Sequence, residues 1–222
     1  PPYNYLSADG RLTGFNIDLT RAICRELSVE NLCQIQALPW EDLDKSLVAG
    51  NGEAVIAGRV ADERARAELA FSRPYLRTAA RFIGKKTETL DLSSSGTQRT
   101  VIGVAGGTAH EQMLRSYFPK AQIIAVAGDE AAAQLLLSGK ADAVFGDAST
   151  LSFWLASANS KDCCAFASGP FFSDEFLGTG MRIAVKAEDT ALEQSINFAL
   201  KNLQDKGLLD ELYLKYFPLG IY

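Results

Sequence analysis

A short apolar run, Ala143-Val144-Phe145-Gly146, ends in Asp147, and a helical pattern begins near Ser149. A carboxylate at the end of such a run can take an ammonium group in a charge-assisted hydrogen bond. Its plainer role is to cap the helix that follows. Earlier, Gly106-Gly107-Thr108 joins a second apolar run, Val101 to Ala105, to another helical pattern. Backbone N–H groups at a helix start, with the helix dipole, favour an anion such as a carboxylate. Read alone, Gly-Gly-Thr is a turn and cap. His110, the sole histidine, falls in the first turn of that helix. It either touches a ligand and makes affinity pH-sensitive, or it stands exposed. An ammonium site and a carboxylate site together suit an amino acid. Four cysteines complete the reactive set: Cys24, Cys33, Cys163 and Cys164. Cys24 and Cys33 flank a helix end and the stretch after it, within reach of a disulfide; the alternative is two buried thiols. Cys163-Cys164 is adjacent in sequence and stays open. A single histidine leaves no zinc site of ordinary spacing, and no metal or cofactor is expected.

The elements that must position these groups are α/β units. Leu47-Val-Ala-Gly50-Asn-Gly-Glu53-Ala54-Val55-Ile56-Ala57-Gly58 recurs 89 positions on as Leu136-Leu-Ser-Gly139-Lys-Ala-Asp142-Ala143-Val144-Phe145-Gly146-Asp147. Each copy is a helix tail, a glycine stop and an apolar run of the kind buried on both faces of a parallel sheet. Ligands of open α/β sheets bind beyond the carboxyl ends of such strands. Ser7-Ala8-Asp9-Gly10 reads as a turn. Helices are expected over Asn16–Glu26, Glu41–Ala49, Ala109–Tyr117, Asp129–Leu137, Thr150–Ala156 and, broken at Gly207, Asp189–Tyr216. Strands are expected over Gln34–Leu38, Ala54–Ala57, Ala80–Lys85, Val101–Ala105, Gln122–Val126, Ala143–Phe145 and Met181–Lys186. Pro74 stops the Arg-rich stretch before it, and Thr87–Arg99 reads as an exposed loop.

The chain has 222 residues, 47% of them hydrophobic, and a net charge of −5. It is long enough for one large domain or two small ones. Scattered Lys and Arg, with no basic run, argue against nucleic acid. No stretch approaches the ~18 apolar residues of a membrane span. The opening at Pro1-Pro2-Tyr3 reads as a processed or trimmed fragment.

Seven segments, in order, resemble one family over nearly the whole chain. They are Pro1-Pro2-Tyr3-Asn4-Tyr5-Leu6 with Asp9-Gly10-Arg11-Leu12-Thr13-Gly14-Phe15-Asn16-Ile17-Asp18-Leu19; Pro39-Trp40-Glu41-Asp42-Leu43; Phe71-Ser72-Arg73-Pro74-Tyr75; Gly103 to Thr108; Ala141 to Asp147; and Lys206-Gly207-Leu208-Leu209-Asp210-Glu211-Leu212. The chain resembles the periplasmic solute-binding proteins of ABC importers, polar amino acid type (bacterial extracellular solute-binding proteins, family 3). The resemblance implies a type II periplasmic-binding-protein-like fold: two lobes, two crossing hinge strands and a cleft that closes on a small ligand. It places lobe 1 at 1–81 and 183–222, lobe 2 at 84–180, and the crossings near 81–84 and 180–183.

The resemblance also assigns the site. Asp147 matches the family's amine-binding aspartate, and Gly107 and Thr108 match its carboxylate-binding pair. The carboxylate partner in lobe 1 is an arginine shortly before the Phe-Ser-x-Pro-Tyr block, a bidentate clamp. Gapless counting puts Ala65 at that position, flanked by Arg64 and Arg66, with Arg66 preferred and Arg59 a third candidate. Trp40 takes the position of an aromatic wall, and Tyr3 and Tyr5 lie in the loop that lines the cleft. Core or lobe packing is the alternative for Trp40 and Tyr3. Ala57 and Gly58 stand where many members carry ligand-contacting hydroxyls, so only their backbone groups remain for that purpose. The strand and aromatic residue that the family carries ahead of its Pro-Pro-Tyr block are absent, which predicts a lobe 1 sheet edge unfilled or filled by another segment, and lower stability. The function implied is a monomeric, periplasmic binding protein, not an enzyme, handing an amino acid or related amino-carboxylate to a membrane permease. The alternatives are a receptor's sensing domain or, at a further remove, a cyclohexadienyl-dehydratase-like enzyme.

Overall fold

The computed structural model describes residues 2–59, 68–93, 96–217 and 219–220. In chain order the elements are β1 (Tyr5–Leu6), β2 (Leu12–Thr13), α1 (Phe15–Glu26), a 3-10 turn (Trp40–Asp42), α2 (Leu43–Val48), β3 (Ala54–Arg59), β4 (Leu69–Phe71) and β5 (Ala80–Lys85). A 3-10 turn (Gly96–Arg99) leads to β6 (Val101–Ala105), α3 (Ala109–Tyr117), β7 (Gln122–Val126), α4 (Asp129–Leu137), β8 (Ala143–Asp147) and α5 (Ala148–Ala156). A third such turn (Ala158–Ser160) precedes β9 (Cys164–Phe171), α6 (Asp174–Leu177), β10 (Arg182–Lys186), α7 (Thr190–Asp205) and α8 (Leu208–Tyr216). The chain divides into two compact units: Pro1–Arg77 with Gly180–Tyr216, and Thr78–Thr179 with Phe217–Tyr222.

In the first unit, β1 and β2 form a hairpin with Tyr5 opposite Thr13. Its tip is closed by Ser7, whose N–H donates to Arg11 O at 2.9 Å. Ile17, Leu19, Ala22 and Ile23 recur at helical spacing and bury one face of α1, which packs on α7 and α8. Asp18, in the first turn of α1, ties down α8: its Oδ2 accepts from Lys215 Nζ and from the Tyr216 hydroxyl, each at 2.6 Å. Desolvation pulls the Asp18 carboxyl upward, but these bonds and one from Arg21 together hold it below its usual range. The sheet is three-stranded, in the order β3-β10-β4, with both pairs antiparallel. Leu47, Val55, Leu69 and Ala184 pack on it. Ser72 locks β10 in place by accepting the Ile183 N–H at 3.0 Å, and its carbonyl accepts from Arg182 at 2.7 Å. A disulfide joins Cys24 in α1 to Cys33, with Cα atoms 6.3 Å apart.

The second unit carries a five-stranded sheet, β7-β6-β8-β5-β9. The β7-β6-β8 part is parallel, and β5 and β9 add antiparallel strands. Alternation along the strands supplies two cores. Phe82, Ile102, Val104 and Phe145 face Met113 and Leu114 of α3. Ile83 and Val144 point the other way, to Ala132 and Leu136 of α4 and Leu151 of α5. The first core is aromatic: Phe82 lies 4.7 Å from Phe145 between ring centroids and meets Phe118 and Phe171 edge-on. Cys163 and Cys164 are bonded to each other at the entry to β9.

Three expectations are corrected. Gln34–Leu38 is not a strand; it is largely exposed and pairs with no described strand. Its apolar-polar alternation has no neighbouring backbone to bond, and a strand without a ladder is no strand. The two repeated units are not structural equals. The β8 copy sits in the parallel part and is buried along Ala143–Gly146, whereas β3 pairs only with β10, antiparallel, and is buried only at Val55 among its first four residues. Last, Thr87–Arg99, expected as an exposed loop, is mostly exposed among its described residues but buries Leu92 and Thr97. Five elements were also unforeseen: the short strands β1 and β2, then β4, β9 and α6.

Candidate ligand-binding site

In the second unit, the carboxyl ends of β6 and β8 and the turn after β7 each open onto a helix start. These are the strand ends at which open α/β sheets bind ligands. After β6, Gly107 takes φ +73°, a conformation that favours glycine. Thr108 follows as the N-cap of α3, with its Oγ1 accepting from the Glu111 N–H at 3.2 Å and donating to Ala105 O at 2.7 Å. Glu111 reaches back, and its Oε2 accepts the Gly107 N–H at 2.7 Å, a reciprocal cap. That bond, then Arg115 at 2.7 and 2.9 Å, holds the Glu111 carboxyl below its usual range. The Gly107 amide is thus occupied by the protein's own carboxylate. The N–H groups of Ala109 and His110 open the helix, where no intrahelical acceptor exists.

Asp147 ends β8 and caps α5. Its Oδ1 accepts the Thr150 N–H at 2.8 Å and the Thr150 hydroxyl at 2.9 Å. Its Oδ2 accepts no hydrogen bond from the described residues. The capping role and a ligand role therefore fall on different oxygens of one carboxylate. His110 is not an exposed first-turn residue: it packs edge-on to Phe145, with centroids 6.5 Å apart. Its Nε2 is enclosed with no partner among the described residues. Burial lowers the imidazole's pKa, and the Asp147 and Asp129 charges oppose that shift. Asp129, at the start of α4, was read from the sequence only as a helix start. It is half-buried, and burial raises its carboxyl, with His110 and Asp147 the charges that act on it. The available signal was its place just after a strand end and a glycine, like Asp147 and Thr108.

In the first unit, Trp40 stands in its 3-10 turn with 57% of its surface exposed, so it is not a core side chain. Tyr3 is half-buried, and its carbonyl accepts the Asn16 N–H at 3.0 Å. The Gly58 and Arg59 backbones end β3. Arg64 and Arg66 lie outside the described residues. Among the described residues there is no cluster able to hold a metal ion, and no helix is long and apolar enough to cross a membrane.

The family model for bacterial extracellular solute-binding proteins, family 3, matches residues 1–219. The chain belongs to that family. Among curated relatives, the putative ABC transporter arginine-binding protein 2 of Escherichia coli (strain K12) is 28% identical over 219 residues, covering 98% of this chain and 86% of its own. Among solved structures, an ancestral cationic amino acid solute-binding protein matches with a TM-score of 0.72 at 26% identity, over 97% of this chain and 90% of its own. The L-cystine solute receptor of Neisseria gonorrhoeae, in an unliganded open conformation, matches with a TM-score of 0.83 at 21% identity, over 99% and 89%, and speaks to the fold alone. This family 3 chain has the type II fold of the two-lobed solute-binding proteins, and its relatives are binding proteins rather than enzymes.

Proposed function

We propose that this family 3 protein is the extracytoplasmic substrate-binding component of an ABC importer, that it captures an amino acid, and that it hands it to a membrane permease. The observation that carries the reading is Asp147: a carboxylate held rigid through Oδ1, with Oδ2 left to accept, at the carboxyl end of a parallel strand. A ligand ammonium donates to Oδ2, and the ligand carboxylate meets the opening N–H groups of α3 and the Thr108 cap. Gly107 joins the anion site when the ligand displaces the Glu111 carboxylate. His110 borders the ligand and stays neutral near pH 7. Trp40, Tyr3, the Gly58 backbone and an arginine, Arg66 or Arg64, are the proposed contributors from the first unit. The arginine-binding and cationic amino acid relatives favour a basic amino acid. The mechanism is binding and release, with no covalent step.

Thermal-shift screening of the purified protein against amino acids, amines and opine-like compounds tests the reading. A raised melting temperature with at least one amino-carboxylate is the expected result. No shift with any of them, after native mass spectrometry has excluded a retained ligand, overturns it.

A further inference from the structure

We infer that Asp129 is a second ligand carboxylate beside Asp147, and that it selects an amino acid whose side chain carries a positive charge. The inference rests on the amino-acid reading above and adds a residue and a discrimination to it. Asp129 opens α4 directly beyond β7, at the same strand ends as Thr108 and Asp147. It reaches the end of β8, so close that a Cβ at Gly146 would come 3.3 Å from Asp129 Oδ1. Asp129 forms no hydrogen bond or ion pair with a described side chain, and the charges that bear on it are His110 and Asp147.

His110 is a poor counter-ion. Its ring is largely enclosed, its Nε2 has no partner among the described residues, and burial keeps it neutral near pH 7. The free protein therefore holds two carboxylates, partly withdrawn from water, around one neutral imidazole. Like charges so placed disfavour one another. One ligand ammonium compensates Asp147 and leaves Asp129 facing no cation among the described residues. A ligand with a second cationic group compensates both, and a neutral side chain of the same shape does not. The arrangement needs no contact from the first unit, so it can be tested on the second unit's residues alone in the intact chain.

The probes are arginine and citrulline, alike in length and shape but differing in a guanidinium against a neutral ureido group. Isothermal titration calorimetry on the full chain should find arginine at least about tenfold tighter. In Asp129→Asn that advantage should fall to about twofold or less, while citrulline affinity moves by no more than about twofold. Asp129→Glu should keep a preference for arginine, and a melt of each variant verifies folding. Equal affinities in the wild-type protein, or an undiminished preference in Asp129→Asn, overturn the inference. These results are separate from failure of the parent reading, in which neither compound nor any other amino acid binds. Citrulline binding that survives in Asp129→Asn but disappears in Asp147→Asn upholds the division of labour between the two carboxylates.

Discussion

Replacing Asp147 separates its two roles, because they fall on different oxygens. Asp147→Ala removes both Oδ1 hydrogen bonds to Thr150 and should cost about 1 kcal/mol of stability as a lost N-cap. For a chain of this size that is a fall of about 2–4 °C in Tm. Asp147→Asn keeps a capping oxygen, and since Asn and Asp cap about equally its Tm should change by less than about 1 °C. The charge is lost in both variants. Removing the buried partner of an ammonium costs about 2–5 kcal/mol, so the ligand should bind about thirtyfold to a few thousandfold more weakly. The assay is differential scanning fluorimetry with ligand at a hundred times the wild-type Kd. Wild type should gain about 2.7 kcal/mol, or about 5–11 °C. Asp147→Asn should gain no more than about 0.9 kcal/mol, under about 4 °C. An Asn variant that keeps the full ligand shift would show that the carboxylate is a cap and nothing more, and would refute the reasoning.

Three further outcomes are expected. Asp129 has a folded pKa raised above its ordinary 3.8 by burial, so its ionisation costs stability above that folded value and nothing below the unfolded one; Asp129→Asn should therefore raise the Tm of the ligand-free protein at pH 7, with the gain fading as the pH falls towards 4, as a melting series from pH 4 to 8 would show. Phe82 is fully buried among three aromatic rings, and Phe82→Ala should cost about 3–5 kcal/mol in a urea titration. Cys24 and Cys33 close a loop of sequence separation 9, so replacing both with serine should cost about 2–3 kcal/mol, while cysteines left unreacted with a thiol reagent in the unfolded wild-type protein would verify that the bond forms.

Most of the second unit is legible in the sequence, for a physical reason. Strands β5, β6, β7 and β8 are short apolar runs, the last three with glycines near their ends, and α3 and α4 start with capping or acidic residues, so local chemistry and tertiary burial agree. The cap at Thr108 and the end of β8 at Asp147 follow from the same signals. Strand β9 hides because Ser168, Gly169 and Pro170 sit inside it, all poor strand formers; pairing along β5 overrides them. Gln34–Leu38 errs the other way, with a strand-like pattern but no partner. Asp129 carries one local signal, its place just after a strand end and a glycine, but nothing local sets it apart from an ordinary helix start. Its first-turn position is what a helix dipole asks of any acid, and its surroundings come from residues on other elements, His110, Gly146 and Asp147. The aromatic character of Trp40 is plain in the sequence, but its exposure is not.

The order β3-β10-β4 in the first unit has a consequence for how the protein comes into being. The central strand is the last of the three in the chain, and β3 and β4 share no ladder without it. Between Phe71 and Arg182 lie roughly 110 residues, which take a ribosome about 5–20 s to make. Over that interval the residues of the second unit from Thr78 to Thr179 are completed in one uninterrupted stretch. The nascent chain can thus shape the second unit while the first still waits, with β3 and β4 unjoined and their edges open. A helper that guards exposed strand edges would find its client in that window, and β10, on arrival, closes both edges at once.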